Sequence, residues 1–155
     1  MNMSVVIGLC IAAGLVLMGI MLGSPLLVFV DATCLQMVFF GSLALLMQAH
    51  GFTGLRTLVD AIKEWFMPSA SWSAEEYSHA AVVAQTGGRA AILTGGVAAM
   101  IGAVQILHYT DGSNLSTLGP ACGVMVLTLF YGLCLKMIVW EPLEVWLTEQ
   151  AQQKG

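Results

Sequence analysis

Residues 118–142 read LGPACGVMVLTLFYGLCLKMIVWEP, and the fold turns on how this run is understood. A helix of about 20 apolar residues, with a range of about 17–25, crosses the hydrocarbon core of a bilayer. The run is long enough. Yet it opens with Gly119-Pro120, carries Thr128 and Lys136, and closes with Glu141-Pro142. It is either a plain anchor or one wall of a device that moves ions, and the rest of the chain must decide.

Composition narrows the class. Apolar residues make up 58% of the chain and charged residues 9%, against about 25% charged in a soluble domain. The expectation is an integral membrane protein with little mass outside the lipid. A net charge of -4 supplies no basic patch, so nucleic-acid binding is set aside. Cys10, Cys34, Cys122 and Cys134 all lie in apolar segments, with no CxxC pair and no histidine at ligand spacing. They read as inert thiols that pack like small hydrophobes, and no metal or other cofactor is expected. No catalytic residues are assigned, and the chain is not expected to be an enzyme. Met1–Gly23 has no Lys or Arg before its apolar run and no small-x-small cleavage site, so it reads as a retained first span rather than a signal peptide.

Four segments reach spanning length, at about 4–23, 33–50, 88–108 and 119–140. The expected fold is an all-α, four-span domain over 1–155, with a helical segment at 51–87. Arg56, Lys63 and Arg89 fall in or beside that long link, and Lys136 and Lys154 lie near and after the end of span four. The two short links carry Asp31 and Asp111 but no basic residue. By the positive-inside rule the long link and both termini are cytoplasmic.

Within the link, Leu55, Leu58, Val59, Ile62, Trp65 and Phe66 recur at three- and four-residue steps, with charges on the other face. This predicts an amphipathic helix along the inner membrane surface. A break is expected at Met67-Pro68-Ser69. Ser73-Ala-Glu-Glu76 then predicts a capping box, opening a helix that runs into span three, with Gly87-Gly88 as its weak point.

Span three carries a ridge of small residues four apart, Gly87, Ala91, Gly95, Ala99 and Ala103, with Ala98 and Gly102 beside it. Gly19/Gly23 and Gly119/Gly123 repeat the spacing. Lipid gives no hydrophobic drive between helices, so such ridges mark close backbone packing. That packing is either internal or between subunits, and five positions favour an oligomer or a partner helix.

Ionisable residues inside a span are costly and point to function. No Asp or Glu lies in the core of any of the four spans, so a proton carrier acting alone lacks its acid. His50 and His108 fall at opposite faces as interfacial residues. Lys136 reads as a snorkelling side chain, Thr128 as bonded to its own backbone, and Gln105 as an interhelical hydrogen-bonding group.

Taken together, AILTGGVAAMIGAVQIL (91–107), LGPACGVMVLTLFYG (118–132), the following Pro142 and FVDATCLQMVFFGSLA (29–44) resemble the flagellar stator and TolQ/ExbB proton-channel family. The MotA branch is the most similar. The family carries a Gly-rich span three ending in G-x-V-Q-x-L, a Gly-Pro-Ala opening and an L-T-T-x-Y-G run in span four, and a proline at its inner end. An Asp-x-Pro-Ser start leading to Gly-Gly-Thr marks its span two. The resemblance implies a pentameric ring in the bacterial inner membrane, enclosing a dimeric single-span partner of the MotB/ExbD kind. That partner would supply the proton-binding aspartate.

It also implies an ion pathway through Thr128, Leu129, Pro142, Ile92 and Ala99. Helix-packing or partner contacts fall at Ala91, Gly95, Gly102, Ala103, Gly119 and Gly123, with Lys136 at the inner mouth. Three positions depart from the family: Ile92 stands for its span-three proline, Leu129 for its second threonine and Lys136 for a small residue. The long cytoplasmic domain of flagellar subunits is absent between spans two and three. Two alternatives stay open: a non-conducting scaffold from the same family, and a small four-span transporter.

Overall fold

A computed structural model describes residues 3–23, 29–68, 71–109 and 115–155. The described residues are helical apart from short turns and caps, and contain no strand. Helix α1 is Met3–Gly23, α2 is Ala32–Phe66, α3 is Ala74–Tyr109 and α4 is Leu115–Leu135. A π-helical turn, Lys136–Trp140, leads without a break into α5, Glu141–Lys154. Three helices are long and apolar enough to cross a membrane: α2, α3, and α4 with its continuation. The chain is therefore a membrane protein. Helix α1 is apolar as well, but its Ile7–Leu22 stretch is shorter than those three.

The long helices overshoot the lipid. The 36 residues of α3 extend about 54 Å at 1.5 Å per residue, against a hydrocarbon core about 30 Å thick. The excess is not a loose loop. The second half of α2, the first half of α3 and α5 enclose a continuous core that includes Leu58, Tyr77, Val83, Leu143, Trp146 and Leu147. Apolar burial in water drives this three-helix unit, whereas packing within lipid must rely on close fit.

Helix α2 changes direction at Gly51, whose φ of 66° lies in the left-handed region. Glycine alone adopts this without steric cost. Beyond it, residues 52–66 form the amphipathic helix expected from the sequence, and they pack against α3 and α5. His50 Nε2 bonds Thr86 Oγ1 at 3.0 Å, and Tyr77 donates to Glu64 Oε1 at 2.9 Å. The two links hold this half of α2 alongside α3.

The expected break is present. Helix α2 ends at Phe66, and the Met67 N–H closes on the Lys63 carbonyl at 2.8 Å; Ser69 lies outside the described residues. The capping box is formed too. The Ser73 N–H donates to Glu76 Oε2 at 2.7 Å, and the Glu76 N–H donates to Ser73 Oγ at 3.3 Å. The Ser73 backbone bond is the main cause holding the Glu76 carboxyl below its ordinary range. The box is thus intact above that range and is lost as pH falls through the lowered value. In NMR titrations the Ser73 and Glu76 amides should shift together, below the pH at which a free glutamate titrates. Ser73→Ala removes only the hydroxyl bond and keeps the backbone one, so it should relax part of this lowering and leave the larger part in place.

Gly87-Gly88 is not a weak point. Helix α3 runs through it unbroken, and a Cβ on Gly87 would lie 2.5–2.7 Å from the Trp140 ring. The two glycines form a seat for that indole. Tyr77 is buried, and burial together with Glu64 pushes its phenol up to about 12. Bonds to a charged acceptor contribute about 1.5–3 kcal/mol. Tyr77→Phe should lower the stability of the folded chain by about that amount in reversible unfolding from detergent.

Candidate functional site

The wall formed by α3 and α4 contains most of the residues singled out in the sequence. Gly95 faces the Thr128 carbonyl, 3.0 Å from where its Cβ would stand, and Gly132 faces the Ala91 carbonyl at 2.5 Å. No side chain fits between the two backbones. The small-residue ridge is therefore used inside the chain: Gly87 by Trp140, Ala91 and Gly95 by α4. Three of the five ridge positions are thus covered within the chain. Ala99 and Ala103 are half-buried, and Gly102 lies near Met125. Gly19, Gly119 and Gly123 face open space.

Thr128 is 4% exposed and donates to the Met125 carbonyl at 2.7 Å, the backbone bond expected of a hydroxyl in a membrane helix. Leu129, beside it, is 41% exposed and points away from the packed helices. Ile92 is half-buried. Across the wall, Thr94 donates within its own helix to Ala90 at 2.9 Å and lies 3.3 Å from the Val38 carbonyl of α2. Its methyl fills the space over Gly41. Between Ala90 and Leu135 the described parts of α3 and α4 carry no Asp, Glu, Lys or Arg.

At the far end from the three-helix unit, Tyr131 reaches the start of α2. Its hydroxyl accepts from the Asp31 N–H at 2.9 Å and donates to the Phe29 carbonyl. Asp31 caps α2, with Oδ1 accepting from the Cys34 N–H at 3.0 Å. Asp31, Gln105 and Thr128 line a groove of about 660 Å³ between α2, α3 and α4. Gln105 is exposed at this groove. Asp111 lies outside the described residues.

Neither a protein-family model nor a curated protein matches the chain.

The end nearer the three-helix unit is built around the π turn. Pro142 has no N–H, and its ring crowds the carbonyl four residues back. The wider turn before it closes Glu141 N–H on the Lys136 carbonyl, five residues back. Lys136 and Glu141 thereby become neighbours and form an ion pair. Lys136 lies across Gly88, beside the helix seam. The backbone stays helical on both sides of Pro142.

Sequence reasoning missed a polar cluster at this end. Thr86 Oγ1 donates its single hydrogen to Val82 at 2.9 Å, so at His50 it accepts, and the ring donates from Nε2. His79 stands edge-on to His50, with ring centroids 6.5 Å apart. The helical distance between His50 and Thr86 leaves no mark in the sequence. Among the described residues no three His, Cys, Asp or Glu side chains gather as metal ligands.

Proposed function

We propose that the chain is a ring-forming subunit of a proton-driven, stator-like complex, enclosing a single-span partner that carries the ion-binding aspartate. The observation that carries this reading is the uncharged wall of α3 and α4. Its outward face presents Leu93, Val97, Met100, Val104, Val126, Leu129 and Leu133, with no acid to take a proton. A wall of this kind passes a neutralised carboxyl brought by another helix and resists a charged one, because a charge in lipid-like surroundings is costly. The resemblance of segments 29–44, 91–107 and 118–132 to the stator and TolQ/ExbB family supports the same reading. On it, α1 is the fourth span, five copies surround the partner, and the three-helix unit with both termini faces the cytoplasm of a bacterium.

A second reading, a non-conducting scaffold, is favoured by Thr128, whose hydroxyl is buried and bonded to its own backbone. Proton flux into vesicles separates the two. With a single-span partner bearing a membrane aspartate, the channel reading expects flux that vanishes when that aspartate becomes asparagine. Leu129→Thr should raise it. Flux through the chain alone contradicts the partner's role, and no flux with any such partner supports the scaffold.

A further inference from the structure

Beyond Gly51, α2 has two apolar faces. One carries Gly54, Leu58 and Ala61 and is buried in the chain's own core. The other carries Phe52, Leu55, Val59, Ile62 and Phe66, spaced three and four apart in the manner of a coiled-coil seam. Phe52 is 76% exposed and Phe66 75%.

On the proposed topology, lipid does not cover this seam. It begins past the His50–Thr86 bond, on the polar side of Arg89 and Lys136, and α2 is held alongside α3 as far as Glu64–Tyr77. On that topology Phe52 to Phe66, about 21 Å of helix, lead away from the membrane. An apolar stripe of this length in water marks a contact surface.

We propose that the seam is the surface by which one copy of the chain docks on the α3–α5 face of the next. Copies in one membrane are related by rotation about its normal, which keeps every residue at its own depth. At the depth of Phe66 and Lys63, α3 and α5 of the same chain form a shallow groove of about 490 Å³. Ala74, Ser78, Ala81 and Ala151 leave room in it for a phenyl ring, and Glu75, Thr148 and Gln152 complete its lining.

Charge fits as well as shape. Glu75 has no partner among the described residues, and Lys63 holds only the exposed Asp60 at 3.3 Å, a pair weak enough to exchange. Lys63 lies one residue from Glu64, which is bonded to Tyr77 of α3, so Lys63 and Glu75 share a depth. Lys63 and Glu75 also line one cleft between α2 and α3 of the same chain, but the apolar seam and the groove are different surfaces, so the contact is heterologous and closes into a ring when the rotation allows. The inference rests on the ring reading and supplies its water-side interface.

Cross-linking in lipid nanodiscs tests it. A chain carrying both Phe66→Cys and Ser78→Cys, treated with a charged bis-maleimide confined to water, should yield a ladder of linked copies; Phe66→Cys alone should not. Both positions are exposed, so the substitutions leave the core intact. In parallel, Lys63→Glu and Glu75→Lys should each weaken assembly several-fold, and together restore it. Dimers from Phe66→Cys alone would overturn the inference in favour of seam-to-seam contact. Labelling of Phe66→Cys only by lipid-soluble maleimide would overturn it in favour of lipid. An intact oligomer by native mass spectrometry, with no ladder, would overturn it while leaving the ring standing. A monomer would remove both.

Discussion

Replacing Gly132 with alanine should separate α3 from α4, and with leucine it should prevent their packing. The obstacle is backbone: a Cβ at residue 132 would sit 2.5 Å from the Ala91 carbonyl oxygen and 3.3 Å from the Gly95 Cα. No rotamer relieves such a contact, so the helices themselves must move apart. Overpacking of a tight site costs about 1–3 kcal/mol and occasionally more, and the rigid partner puts Gly132→Ala at the upper end. Gly119→Ala, with nothing within 4 Å, is the matched control and should change little. Unfolding free energies in mixed detergent micelles measure both. Equal effects would show that α3 and α4 are not in backbone contact.

The second large effect is expected at Trp140. Its ring is 5% exposed and rests on Gly87, while its Nε1 finds no partner among the described residues. Trp140→Ala removes the ring and should cost about 3–5 kcal/mol, the range for buried aromatic truncation. Gly87→Ala alone should also be destabilising, because the added methyl collides with the ring. In the Trp140→Ala background the same change should be nearly harmless, giving a coupling of about 1–3 kcal/mol. Additive effects in this cycle would place the indole elsewhere.

Several parts of this fold were legible because local chemistry fixes them. Ser73 and Glu76 stand at the one spacing at which a hydroxyl and a carboxylate cap the same turn, and both bonds are formed. The Met67-Pro68 break and the backbone-bonded hydroxyl of Thr128 were legible for the same reason. What the sequence withheld is what covers each apolar face. The small ridge of α3 announces close packing, but its spacing is the same whether the partner is the next helix or another subunit. Here Gly95 and Gly132 answer one another within the chain.

Gly51 illustrates a second limit. A lone glycine in a helical pattern marks a packing seat, as Gly87 does, or a turn in the backbone, as Gly51 does; only φ separates them. The π turn was hidden likewise: Pro142 announces a disturbance, and the register of the Lys136–Glu141 pair shows how it is absorbed. The long link also read as a surface helix because amphipathicity reports that one face is apolar, not whether lipid or protein covers it. Here Tyr77, Trp146 and Leu147 share a core with Leu58 and Ala61, while Val59, Ile62 and Phe66 stay exposed.

The wall and the ring stand or fall on how many copies assemble. Native mass spectrometry of the full chain released from lipid nanodiscs counts them directly. The account predicts one dominant species of five copies, which takes up a single-span, aspartate-bearing partner without losing a subunit. A stable monomer or dimer would contradict it.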